Sequence, residues 1–288
     1  MPSFASYDGT RLAYTEVGAG PPLVCLPGGP GRAAAYLEDL GGLAQTRTLV
    51  RLDARATGHS EVPPDPASLR YDRLALDVEA LRVHLGLDRP DLLGHSAGCL
   101  VAQAYAARHR LGRLVLVTPS DLLQGGTRGD VEALRAARRD EPWYADAAEA
   151  LSALDDAPPA QQQALQRATR PFMYGRWDER TQAHAATADR QMSRRAELGF
   201  GAGAEEVDAA RMLGRLRGVT SPVLVVGGGC DAVTGVASVH AVAGSFPEAQ
   251  LVVLPRAGHF PWVDEPAAFR AAVEAFLAAS AQRRTLAS

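Results

Sequence analysis

The stretch Pro90-Asp91-Leu92-Leu93-Gly94-His95-Ser96-Ala97-Gly98 decides the fold. Pro90 to Leu93 reads as a short buried strand, and the alanine-rich run Ala97 to Arg110 reads as a helix. Between them a serine sits among small neighbours, which is what a sharp strand-to-helix turn requires. Such a nucleophile elbow lifts the serine oxygen clear of the backbone. The new helix directs its N-terminal amides, and the positive end of its dipole, at the same point. Ser96 is therefore the candidate nucleophile.

The flanking chain alternates in the same way. Phe4 to Gly9 and Leu12 to Val17 read as a hairpin around Asp8-Gly9-Thr10. Leu23 to Leu26 is an apolar run ending in Pro27-Gly28-Gly29-Pro30-Gly31, and Ala33 to Ala44 reads as a helix. Thr48 to Leu52 is the next strand. Leu74, Val78, Leu81 and Leu85 recur at helical spacing over Tyr71 to Leu87. Arg113 to Thr118 follows the elbow as another strand. From Asp121 to about Gly203 no run suits a buried strand, so this segment reads as an inserted helical lid. Alternation resumes with a helix from Val207 to Leu216 and a strand from Pro222 to Val226. A helix over Val236 to Ala243, a strand over Leu251 to Leu254 and a last helix beyond Pro266 complete the chain, with fraying expected after Ser280.

Continuous apolar strands between amphipathic helices imply an α/β fold, a mostly parallel sheet covered on both faces. The expected division is a core of residues 1–120 and 204–288 with a cap of residues 121–203. In such sheets reactive groups gather at the carboxyl ends of the strands, which singles out Gly28-Gly29, Asp53, Ser96, Asp121, Asp231 and His259.

A serine hydroxyl becomes a nucleophile only when a base takes its proton, and histidine is the usual base. Of the seven histidines, His259 follows a late strand with a flexible glycine before it. His95 adjoins Ser96, but the tight turn aims its side chain elsewhere. His84, His109, His184 and His240 lie in helical contexts. A carboxylate must hold the base's tautomer. Asp231, beyond Gly227-Gly228-Gly229-Cys230, is preferred over Asp121 on chain order and loop context. Negative charge on a reacting carbonyl oxygen needs two backbone donors. Ala97, next after the nucleophile, supplies one, and Gly29 is placed for the other, since Pro30 has no N–H to give.

Composition narrows the partners. The 288 residues are 47% hydrophobic and 22% charged, with net charge −3 and no basic cluster, so nucleic acid is not an expected partner. No apolar stretch approaches membrane-spanning length, and Met1 to Asp8 lacks signal-peptide character, so a soluble cytoplasmic protein is expected. Cys25, Cys99 and Cys230 form no Cys-x-x-Cys pair and read as small apolar fillers. The chain contains no lysine, isoleucine or asparagine, which removes Schiff-base chemistry on lysine and a Cys-His-Asn triad. Gly227-x-Gly229-x-x-Ala232 fits a dinucleotide fingerprint only superficially, because no acidic residue closes the following strand. No nicotinamide, flavin or metal is expected.

Three stretches carry a family resemblance: Pro27 to Gly31, Asp53-Ala54-Arg55-Ala56-Thr57-Gly58-His59-Ser60, and the elbow. With them the chain resembles the α/β-hydrolase superfamily across nearly its whole length, and within it the proline iminopeptidase-like members. The match keeps Gly28 to Gly31, Asp53, Arg55, Gly58, Ser60 and Ser96, and departs at Pro27, Ala56 and His95. The resemblance implies the α/β-hydrolase fold with Ser96, Asp231 and His259 as the triad. It also implies lid carboxylates that bind a substrate's free amino group, for which Glu141, Glu149, Asp178, Glu197, Glu205 and Glu206 are candidates. Trp143, Phe172, Tyr174 and Trp177, with Glu205, are the candidate substrate-binding residues of the lid.

The expected function is a serine hydrolase acting on an ester or amide of a small, largely apolar substrate or short peptide, aminopeptidase action on N-terminal proline being its sharpest form. The competing readings are a ligand-binding module on the same scaffold and a cofactor-free lyase or cyclase with His259 as base.

Overall fold

The computed structural model describes residues 1–126 and 129–285. Among the described residues one sheet contains eight strands: β1 (Ser3–Ala5), β2 (Arg11–Val17), β3 (Pro22–Leu26), β4 (Thr48–Leu52), β5 (Asp91–His95), β6 (Leu114–Val117), β7 (Val223–Gly228) and β8 (Ala249–Leu254). They lie in the order β1-β2-β4-β3-β5-β6-β7-β8. β1 and β2 form an antiparallel hairpin and β2 pairs antiparallel with β4, while the other six strands are mutually parallel.

Strand periodicity builds two apolar layers. Side chains alternate across a strand. Val24, Leu92, Leu114, Leu116, Val223 and Val225 therefore join one buried cluster, and Leu23, Leu93, Val115, Val117, Leu224 and Val226 join the other. The first is covered by α1 (Tyr71–His84) and α2 (Ala97–Ala106), through Val78, Leu81 and Leu100 among others. Between β6 and β7 come α3 (Val131–Ala136), α4 (Tyr144–Ala153), α5 (Pro159–Ala168), α6 (Glu179–Ala186), α7 (Ala188–Gln191), α8 (Arg194–Phe200) and α9 (Ala209–Leu216), with no strand among the described residues. α9 then packs on the first layer through Met212 and Leu216, and so does α10 (Gly235–Ala243) through Val239 and Val242. The second layer is closed by α11 (Pro261–Asp264) and α12 (Pro266–Thr285), which bury Trp262, Phe269, Val273 and Phe276.

Two local expectations change. Ala33 to Ala44 forms no continuous helix; short 3₁₀ turns cover Ala34–Leu37 and Leu43–Gln45. Glu38 and Leu40 adopt positive φ, and Gly41 and Gly42 are left-handed, so the chain folds back on itself to bury Leu37, Leu40 and Leu43 completely. Tertiary packing there overrides helix propensity. Secondly, α12 runs through to Thr285 past the point where fraying is expected. Of the expected cap and core spans, residues 127–128 and 286–288 lie outside the described residues.

The register brings the carboxyl ends of β3, β5, β6, β7 and β8 to one edge, and the loops that follow them meet there.

Candidate active site

Ser96 caps α2 with φ 52° and ψ −120°, a left-handed conformation that non-glycine residues rarely adopt. Its neighbours must be small. A Cβ on Gly98 would lie 2.3 Å from the Leu26 carbonyl oxygen, and one on Gly94 would lie 2.7 Å from that of Gly98. The loop after β3 also closes on the serine: a Cβ on Gly28 would approach the Ser96 Cβ to 2.8 Å. The N–H groups of Gly29 and Ala97 have no acceptor among the described residues, and Gly29 holds a φ of 123° that suits glycine. Two free backbone donors thus flank the Ser96 side chain.

His259, beyond β8, donates from Nδ1 to Asp231 Oδ2 at 2.9 Å. Asp231 is fully buried. It also accepts the Thr234 hydroxyl at 2.7 Å and the Val233 and Thr234 N–H groups at 2.9 and 3.2 Å. Burial alone would raise its pKa, but the His259 charge and these hydrogen bonds outweigh that and hold the carboxyl below its ordinary range. With Nδ1 committed to the carboxylate, Nε2 of His259 is the ring nitrogen left to accept a proton. The alternative acid, Asp121, is not the partner of this imidazole.

His95, the residue before the serine, is buried and doubly engaged. Its Nδ1 accepts the Tyr36 hydroxyl at 2.7 Å, and its Nε2 donates to the His259 carbonyl at 2.8 Å. Tyr36 in turn accepts the Gly28 N–H at 2.7 Å, and Thr118 donates its hydroxyl to the same His259 carbonyl at 3.0 Å. One chain of hydrogen bonds therefore ties the glycine loop, the elbow and the His259 loop together. Burial, reinforced by the nearby His259 charge, keeps His95 well below the usual imidazole range, so the ring is neutral. Its two tertiary partners fix the ring at the wall of the cavity that Ser96 also lines.

Ser96, His259, Gly29, Tyr36 and Tyr174 line a cavity of about 850 Å³ together with Gln162, Gln166 and Met192 of the helical segment. Of the candidate lid residues, Tyr174 reaches this cavity. Trp143 and Phe172 instead pack edge-to-face, with ring centres 5.1 Å apart, in a separate cluster with Ala147 and Ala232. Trp177 packs tilted against Tyr174, with ring centres 5.6 Å apart, and Glu205 is exposed on a 3₁₀ turn. These four side chains meet other protein or solvent: Trp143 and Phe172 belong to one apolar cluster and Trp177 to another. Among the lid acids Glu197 lines the cavity, ion-paired with Arg194. Glu141, Asp178 and Glu206 pair with Arg138, Arg176 and Arg70, and Glu149 is exposed. Asp53 and Arg55 serve the fold: Asp53 accepts the Ala34 and His59 N–H groups, and fully buried Arg55 bonds Asp8 and Asp77. Arg32 and Tyr36 at the cavity wall were not legible as site residues. Their position just after the glycine loop was the available signal. Among the described residues no cluster of three His, Cys, Asp or Glu side chains could hold a metal ion, and no helix is long and apolar enough to cross a membrane.

Asp264 supports the His259 loop from below. Its Oδ2 accepts the Gly258 N–H at 2.8 Å and the Gly175 N–H at 2.9 Å, while Oδ1 is buried without a hydrogen-bond partner. Burial raises its pKa to about 6. The folded protein thus holds this proton more tightly than the unfolded chain. Stability through this group is greatest in acid and falls as pH rises from the unfolded carboxyl value to about 6. Asp264→Asn removes the buried charge. It is expected to stabilise the protein by about 2 kcal/mol at pH 8, the gain fading below pH 5, as read by urea denaturation at both pH values.

The thiols are shielded as well. Burial pushes Cys25 up to about 12 and raises Cys99 and half-buried Cys230, so none is a ready thiolate. A maleimide is expected to modify Cys230 alone in the folded protein, as mapped by peptide mass, and Cys230→Ser is expected to keep the activity.

The comparisons with known proteins agree with this architecture. The profile described as alpha/beta hydrolase fold matches residues 21–266. A proline iminopeptidase of Heyndrickxia coagulans is 35% identical over 105 residues, which cover 35% of this chain and 36% of that protein. The match therefore spans about a third of the length of that curated relative. The crystal structure of a hydrolase from Pseudomonas aeruginosa is 30% identical, covers 96% of this chain and 97% of its own, and superposes with a TM-score of 0.68. A proline iminopeptidase-related protein from Thermus thermophilus is 26% identical, with 96% of both chains covered and a TM-score of 0.71.

Proposed function

The chain belongs to the alpha/beta hydrolase fold family, and from that premise we propose that it is a serine hydrolase that opens ester or amide bonds of small molecules through an acyl-enzyme on Ser96. The observation that carries this reading is the 2.9 Å bond between His259 and Asp231, made beside a serine that shares a cavity with that imidazole.

His259 Nε2 takes the Ser96 proton as Oγ adds to the substrate carbonyl carbon. The carbonyl oxygen becomes an oxyanion held by the N–H groups of Gly29 and Ala97. Asp231 keeps the imidazolium oriented and balances its charge. Collapse of the tetrahedral intermediate breaks the bond to the leaving alcohol or amine, which receives the proton from His259. Water then repeats the sequence on the acyl-enzyme, releasing the acid and restoring Ser96. Residues 121–203 form the cap over this centre and give the cavity its outer wall.

Between the two bond types, the acidic residues favour esters. An aminopeptidase must hold a free ammonium, yet both carboxylates lining the cavity, Asp189 and Glu197, are neutralised by arginine partners. A fluorophosphonate probe is expected to label the protein on Ser96. On a matched panel, p-nitrophenyl esters are expected to turn over faster than prolyl-4-nitroanilide. Failure of the probe to label, with product masses showing no added water, would refute the hydrolase. Faster cleavage of the prolyl arylamide would make it an aminopeptidase.

A further inference from the structure

Among the described residues five arginines are buried: Arg32, Arg55, Arg70, Arg113 and Arg138. Four have carboxylate partners. Arg55 meets Asp8 and Asp77, Arg70 meets Asp72, Arg113 meets Asp91 and Arg138 meets Glu141. Arg32, 5% exposed, has no ion pair among the described residues. A buried cation without a counter-charge is costly, and proteins otherwise pair such groups.

The surroundings of Arg32 show where the missing anion belongs. Nε donates to Gln191 at 2.9 Å, and Nη2 donates to the Thr187 hydroxyl at 2.7 Å and to the His184 carbonyl at 3.4 Å. These neutral acceptors fix the guanidinium without cancelling its charge. The group lies 4.3 Å over the Tyr36 ring and 5.8 Å from the Phe260 ring centre, two aromatics that line the Ser96 cavity. Nη1 has no acceptor among the described residues, and Arg32 lines both the Ser96 cavity and a neighbouring apolar one beside Leu26, Leu69 and Phe200. The other two arginines of the wall, Arg170 and Arg194, are already paired with Asp189 and Glu197. One preorganised N–H edge and one uncompensated positive charge remain.

We infer that Arg32 is a specificity-determining residue whose free Nη1 edge binds a carboxylate on the substrate, so that the preferred ester or amide is a monoanion. This deepens the hydrolase reading and rests on it for the position of the scissile bond. A charge-assisted hydrogen bond from a buried guanidinium discriminates strongly between a carboxylate and a methyl group of similar size. The same cation repels a substrate ammonium, in agreement with the paired state of the cavity acids.

The test uses two matched pairs of esters. In one the carboxylate is on the acyl chain, p-nitrophenyl hydrogen glutarate against p-nitrophenyl valerate. In the other it is on the leaving group, 4-acetoxybenzoate against 4-methylphenyl acetate. In the wild-type protein kcat/KM for the charged member of at least one pair is expected to exceed that of the neutral member by about tenfold or more. The pair that responds tells which side of the scissile bond faces Arg32. In Arg32→Gln that ratio is expected to fall at least about tenfold, with Arg32→Lys between the two, because lysine keeps the charge but loses the planar fork. Equal or lower rates on both charged esters in the wild type overturn the assignment. So does an Arg32→Gln variant in which both members fall together.

Calorimetry separates this result from the hydrolase reading. Glutarate, which cannot be cleaved, is expected to bind the wild-type protein and to lose at least about tenfold in affinity in Arg32→Gln, while valeramide binds neither measurably. Absent glutarate binding overturns the carboxylate site even if neutral esters are hydrolysed. Arg32-dependent binding with no ester cleaved and no probe on Ser96 supports the site and refutes the hydrolase.

Discussion

Ser96→Ala is expected to abolish fluorophosphonate labelling and to lower kcat on the best ester by a factor on the order of 10⁵. The proposed mechanism leaves a residual rate supplied by the Gly29 and Ala97 N–H donors and by binding, which stay in place. Alanine at position 96 must hold φ 52°, as serine does, so the elbow is no more strained after the change and the protein is expected to fold normally. The loss is then chemical, and an unchanged thermal midpoint together with an unchanged affinity for a non-hydrolysable acid would establish that. Retention of more than about one percent of the rate would show that the acyl group is carried elsewhere.

Asp231→Asn is expected to cost on the order of 10⁴ in kcat, nearly all of it through His259. The amide oxygen can keep the Val233 and Thr234 N–H bonds made to Oδ1, so the loop survives. The amide nitrogen now faces Nδ1, where two donors cannot bond. The imidazole must carry its proton on Nε2, and a base protonated there cannot accept from Ser96. Asp121→Ala is the control, since its carboxylate is not the one bonded to His259, and it is expected to lose less than about tenfold. The reverse pattern, full rate in the Asp231 variant and loss in the Asp121 variant, would exchange their roles.

Much of this was readable from residues alone, for a physical reason. Buried parallel strands leave continuous apolar runs, and the turns between them need glycine where the backbone leaves ordinary φ. Leu92-Leu93 before Gly94, and Leu224 to Val226 before Gly227-Gly228, are therefore visible without coordinates. Ser96 and His259 stand out because one needs small neighbours and the other follows a strand end. What stayed hidden depends on distant partners. His95 looks inert beside the serine until Tyr36, 59 positions earlier, is found bonded to it. Arg32 resembles any arginine after a glycine loop, and its lack of a carboxylate is a property of the packed protein. The alanines of positions 33–44 favour a helix locally, yet burying Leu37, Leu40 and Leu43 together requires the reversals at Glu38 and Leu40. The lid aromatics form one group along the chain and two in space, which no helical period reveals.

The rings of His95 and His259 stand 4.9 Å apart, one wired at both nitrogens and denied water, the other with a nitrogen left over. Protonating His95 would turn its acceptor for Tyr36 into a donor and break the link to the glycine loop. A proton arriving at this pair of rings therefore has a single destination, the open nitrogen of His259, and His95 is an insulated spacer beside it.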